Sequence, residues 1–141
     1  CLCLRDNGEL ASAIECFRRA LAIHDELGRR TGQATTLGNL GNTYRALGDI
    51  GSALEHLERA LAIYEELGLP EGQGAALGNL GACHRARGDM PAARSRYEQA
   101  LATFRRAGLP DDHPHVRAVV GALGQLRGPD PMSADRGRPR R

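Results

Sequence analysis

The chain has 141 residues, 41% hydrophobic and 26% charged, with a formal net charge of +2. This is one domain's length with an ordinary globular composition, and no apolar run approaches the roughly 20 residues that a membrane span needs. Arg136, Arg138, Arg140 and Arg141 crowd the end of the chain against only Asp130 and Asp135, so the remainder is close to neutral, which argues against a nucleic-acid surface as the main function.

The opening, CLCLRDNGEL, has neither an initiating Met nor a basic leader, so no signal peptide is expected and the stretch reads as the middle of something longer. Cysteines stand at positions 1, 3, 16 and 83, without the second pair or the His-x3–5-His partner of a zinc site. Buried, reduced thiols in a cytoplasmic protein are the expectation, with no metal and no cofactor.

A period of 40 residues then governs the chain. LGNLGNTYRALGD at 37–49 returns as LGNLGACHRARGD at 77–89, and residues 37–70 match 77–110 at 17 of 34 positions. The earlier stretch joins the same register, with Gly8, Ala13, Ala20 and Gly28 aligned to Gly48, Ala53, Ala60 and Gly68. Self-similarity at this period builds a solenoid.

Each unit reads as two helices. Over 50–67, Ile50, Ala53, Leu54, Leu57, Ala60, Leu61 and Tyr64 fall on one face, and Glu55, Glu58, Arg59 and Glu65 cover the other. Gly48 can end the preceding helix and Asp49 can cap the next. GLPEG at 68–72 and GLPDDHP at 108–114 turn the chain into the following unit, with Pro114 suited to a first helical turn. Gly41 and Gly81, with Ala53, Ala60, Ala93 and Ala100, are the small positions expected where helices cross closely. HVRAVVGALGQL at 115–126 supplies one more first helix and a cap for the stack, and residues 128–141 are expected to be disordered. The expected fold is all-α with no strand.

Leu37-x2-Leu40-Gly41-x2-Tyr44, Ala53-x3-Leu57 and Ala60, repeated as Leu77-x2-Leu80-Gly81-x2-His84, Ala93-x3-Tyr97 and Ala100, resemble the tetratricopeptide repeat. Leu4, Ala13, Phe17 and Ala20 keep part of a truncated first unit. Leu replaces the usual opening Trp, Glu65 and Arg105 stand where Pro is usual, and the period is 40 instead of 34. The long period is similar to the subclass seen in kinesin light chains, Pins-type scaffolds and repeat-bearing bacterial regulators. Every basic residue is Arg, which favours an actinobacterial regulator within that subclass.

The resemblance implies a right-handed α-solenoid of antiparallel helix pairs, with seven helical segments counting the truncated first one. The array would span 1–127, as a truncated repeat at 1–30, repeats at 31–70 and 71–110, and a capping helix at 111–127. It also implies that the first helix of each unit lines a concave, peptide-binding side. In this register the groove-facing residues are Asn39, Asn42, Arg45, Asn79 and Arg85, with Arg5 from the truncated unit. Gly38 and Gly78 leave room beside them for a ligand backbone. Asn and Arg on a helix surface can be merely solvated, but side-chain amides are poor mid-helix choices without partners. A clamp for a terminal carboxylate would need Lys, Lys and Arg where Gly38, His115 and Val119 stand, so that version is excluded.

No catalytic arrangement is legible. GNLG lies within a helical pattern with no preceding strand, so it is not a phosphate loop. His113 and His115 lack a third metal ligand in the sequence, and His24 and His84 occupy positions of packed rings. The expectation is a non-catalytic protein-interaction module that holds an extended acidic peptide or a neighbouring domain. The alternative is the sensor or autoinhibitory end of a larger bacterial transcription regulator or signalling NTPase. Self-association through exposed solenoid ends is also expected, because the cut first unit leaves Leu2 and Leu4 incompletely covered. No membrane partner is expected.

Overall fold

The computed structural model describes the backbone of residues 2–126 and the side chains of residues 8–126. The expected disordered tail at 128–141, the thiols of Cys1 and Cys3, and the side chains of Leu2, Leu4 and Arg5 lie outside the described residues. Six helices follow one another: α1 (Leu2–Leu27), α2 (Arg30–Leu47), α3 (Ile50–Leu67), α4 (Pro70–Ala86), α5 (Met90–Arg106) and α6 (Pro114–Leu126). There is no strand among the described residues. Each helix packs on its neighbours in the chain, most extensively α2 on α3 and α4 on α5, which are the two complete units.

Local sequence sets these boundaries. Gly28, Gly48, Gly68, Gly88 and Gly108 all take left-handed φ, between +64° and +88°, a conformation that costs glycine nothing and other residues about 1–2 kcal/mol. At the first complete junction, the Gly48 and Asp49 N–H groups donate to the carbonyls of Arg45 and Tyr44, closing the end of α2. Asp49 then accepts from the Ser52 N–H at 3.2 Å and starts α3, and Asp89 accepts from the Ala92 N–H at 3.3 Å and starts α5. Pro70 and Pro114 occupy first-turn positions whose N–H would have no helical partner.

The helix count is one fewer than the sequence suggests. Where the later units have Gly-Asp, the first has Gly8-Glu9. Glu is one methylene longer than the short side chains that cap helices well. Gly8 is absent from the left-handed glycines, and α1 runs through it. Without the stop and the start, two expected segments become one helix. The backbone of Arg5 therefore belongs to an extension of a second-type helix, not to a separate first-type helix.

The small residues sit where helices cross. Ala53, Ala60, Ala93 and Ala100 are fully buried. A Cβ on Gly41 would lie 2.5 Å from Leu57 Cγ, and one on Gly81 would lie 2.9 Å from Tyr97 Cδ1. Gly32 and Gly72 have a further use: a Cβ there would collide with the rings of His24 and Tyr64, so each ring seats on the next unit's first helix. The main core joins Leu40, Leu57, Leu80, Tyr97, Phe104 and Val116 across successive units; burying each such side chain contributes about 1.5–3 kcal/mol. Cys83 is buried as expected, but Cys16 is exposed. Its register mates are His56 and Arg96, so the position belongs to the polar side of the second helix.

Candidate binding groove

The first-type helices α2 and α4 meet directly, whereas α3 and α5 make no comparable backbone approach. The inner side of the stack is therefore taken as the one on which α2 and α4 lie. α6 stands off from α4. The gap is a cavity of about 280 Å³ with Gly78 and Asn79 on one wall, Val119 and Ala118 on the other, and Tyr97 and Phe104 of α5 among its lining. His115 stacks on Phe104 with ring centroids 5.6 Å apart, fixing one end of the cavity.

The expected site residues divide between two inner helices. Asn39, Asn42 and Arg45 lie on α2, and Asn79 and Arg85 on α4. Asn39 is exposed, and its carbonyl accepts from Thr43 Oγ1 at 2.8 Å. Asn42 is half-buried, and its Oδ1 is a buried acceptor with no partner. Arg45 is half-buried and close enough to α4 for its charge to act on Cys83. Burial pushes that thiol above the ordinary cysteine range, and Arg45 opposes the shift in part. Asn79 is half-buried in the cavity wall.

Arg85 is exposed and donates to Gln125 Oε1 at 2.7 Å, bridging α4 to α6. Gln125 was not singled out in the sequence, although it is the next member of the series Arg45, Arg85. Extending the register into the degenerate last unit is the signal that finds it. The guanidinium has five N–H donors, so this bond steadies Arg85 without exhausting it. Gly38 has no atom within 4 Å of where a Cβ would stand, and the nearest to Gly78 is Val119 Cγ2 at 3.8 Å. The floor beside the asparagines is open.

Chemically, the surface offers amide groups that can donate and accept at once, two guanidinium donors and an apolar recess. Among the described residues, no three His, Cys, Asp or Glu side chains gather as metal ligands. His113 and His115 stand 5.2 Å apart by ring centroids, and the His113 ring accepts from the His115 N–H. No described helix is long and apolar enough to cross a membrane.

Stacked helix pairs with an open inner face define a helical-repeat scaffold, a class that works by holding other proteins. Sequence models of the tetratricopeptide repeat match residues 1–66 and 74–115, and the chain belongs to the tetratricopeptide repeat family, a family of protein–protein interaction modules. Among solved structures it is similar to a putative kinesin light chain from Podosopora anserina with nearly identical TPR-like repeats, at 25% identity and TM-score 0.72. A single-substitution form of that protein is matched at 25% identity and TM-score 0.73. For both, 89% of this chain aligns with 62% of the other. BtubC (BKLC) from P. vanneervenii, 22% identical with a TM-score of 0.62, shares the fold over 95% of this chain and 62% of its own. No curated protein sequence matches. The chain thus spans about three-fifths of the length of the structures it resembles.

Proposed function

We propose that this is a non-catalytic, cytoplasmic interaction module whose inner face holds an extended acidic peptide segment, presented by a partner or by an adjoining domain. The observation that carries the reading is the open recess between α4 and α6, with Asn79 in its wall and Arg85 on the same helix. Asn42 adds an unpaired acceptor, so turning its amide toward a peptide N–H would sacrifice no existing bond. Arg45 and Arg85 occupy equivalent places on successive inner helices. Adjacent packed helices stand about 8–10 Å apart and an extended peptide advances about 3.3 Å per residue, so one rung spans roughly three ligand residues. The reading also includes self-association through the ends of the stack.

The test uses a fluorescein-labelled synthetic peptide of about a dozen residues with Glu at every third position, spaced to the rungs. Its binding is followed by fluorescence anisotropy against wild type and an equally folded Arg45→Glu/Arg85→Glu variant. Exposed charge pairs contribute about 0.2–1 kcal/mol and water-excluded ones about 1.5–3 kcal/mol. Arg85 is exposed and Arg45 half-buried, so the double variant should bind about tenfold to a hundredfold more weakly. Wild-type binding should also fall with added salt. Equal affinities for the two proteins would refute the reading.

A further inference from the structure

Arg85 Nη1 donates to Gln125 Oε1 at 2.7 Å, joining the last turn of α4 to the end of α6. In the 40-residue register, Gln125 is the rung after Arg45 and Arg85. Three long side chains can be compared at that rung. A further Arg would repel Arg85 and offer it no acceptor. A Glu would accept the same bond, but its charge would cancel that of the guanidinium. Gln has the shape of Glu without the charge, so it fixes Arg85 and leaves the cation intact. The acids of the neighbouring elements leave it intact as well. α6 contains none, Glu71 is the only one on α4 and lies in its first turn, and Asp89 caps α5. Among the described residues, no carboxylate pairs with Arg85. Engaged through its oxygen, the Gln125 amide also keeps both Nε2 hydrogens, and the planarity of the amide sets Nε2 at the same tip that holds the guanidinium.

We propose that Arg85 and Gln125 form one composite seat for a single carboxylate of the acidic ligand. The guanidinium supplies the charge and most of the N–H donors. The Gln125 amide positions it and adds a donor of its own. The seat rests on the acidic-peptide reading above and brings a residue of α6 into it. Both side chains are exposed, so the seat works in water and its contribution is that of an exposed pair.

Fluorescence anisotropy with the fluorescein-labelled Glu-every-third-residue peptide, on the full 141-residue chain and three variants, separates charge from bracing. Gln125→Ala removes the brace and the donor but leaves Arg85 charged, and binding should weaken about twofold. Gln125→Glu keeps the bond to Arg85 and neutralises the cation, and binding should weaken about fivefold. Gly124→Glu adds the same charge one residue away, where no atom lies within 4 Å of the Cβ position, and should change affinity by less than about twofold. Hydrogen exchange at the amides of Val116 and Val119, whose side chains are buried, reports whether α6 stays docked. Both should be at least as protected in Gln125→Glu as in Gln125→Ala. A brace with no part in binding gives the opposite ranking, with Gln125→Glu binding like wild type and Gln125→Ala more weakly, because the bridge survives in one and not in the other. That ranking, or a loss in Gly124→Glu equal to the loss in Gln125→Glu, would overturn the composite seat alone. A wild-type chain that does not bind the peptide would overturn the acidic-peptide reading together with it.

Discussion

Replacing Gly41 with alanine sets two helix effects against each other. Inside a helix, alanine is favoured over glycine by up to about 1 kcal/mol. At Gly41, however, the new methyl would lie 2.5 Å from Leu57 Cγ, 3.0 Å from Leu57 Cδ2 and 3.2 Å from the Ala53 carbonyl oxygen. Ordinary contact begins near 3.4 Å, so Leu57 must retreat by about an ångström in a close-packed core. Leu57 is fully buried and the third close atom is backbone, so neither yields freely. Overpacking of this kind costs about 1–3 kcal/mol, which outweighs the propensity gain and leaves a net loss of about 0.5–2 kcal/mol. Gly38, one turn earlier on α2, meets nothing within 4 Å, so Gly38→Ala should gain about 0.5–1 kcal/mol. The two variants should therefore move in opposite directions in urea denaturation followed by circular dichroism at 222 nm. If Gly41→Ala stabilises the chain as much as Gly38→Ala does, the close crossing of α2 and α3 is wrong.

Removing the side-chain cap with Asp49→Ala should cost about 0.5–2 kcal/mol in the same assay, and a change within a few tenths would mean that the Ser52 contact contributes nothing. In a Cys1→Ser/Cys3→Ser background, Cys16 should react rapidly with a disulfide reagent near neutral pH and the buried Cys83 far more slowly; two equally fast thiols would contradict the burial of Cys83. Burial raises the Cys83 pKa in the folded chain, with Arg45 offsetting part of the rise. The unfolded chain therefore loses that proton first, and the stability difference is intact below the unfolded pKa and declines as pH rises through the alkaline range toward the folded pKa. A Cys83→Ala variant should show a shallower alkaline decline, measured by urea midpoints at successive pH values.

Much of the architecture is legible because it is written locally and repeated. Gly48-Asp49 and Gly88-Asp89 each specify a stop and a start within two residues, and the structure uses them so. Gly41 and Gly81 announce close crossings for the same reason. The fusion of α1 was hidden because the repeat register invites Gly8-Glu9 to be read as one more Gly-Asp, when the longer side chain removes the cap. The seats under His24 and Tyr64 depend on contact between successive units, which helical periodicity within one unit does not report. Asn39, Asn42, Arg45, Asn79 and Arg85 could be assigned to first-type helices from spacing alone. The bridge from Arg85 to Gln125 and the recess around Asn79 could not, because both depend on how far α6 stands from α4.

In the function proposed above, the inner face, and not the outer helices, receives an extended acidic ligand. Side-chain amide resonances report on it directly, since Asn39, Asn42 and Asn79 lie on the inner helices and Gln99 lies on α5. Isotope-labelled chain titrated with the Glu-every-third-residue peptide should show saturable shifts of all three asparagine NH2 pairs, with Gln99 unmoved. Shifts confined to Gln99 and its neighbours on α3 and α5, with the three asparagines still, would contradict the account.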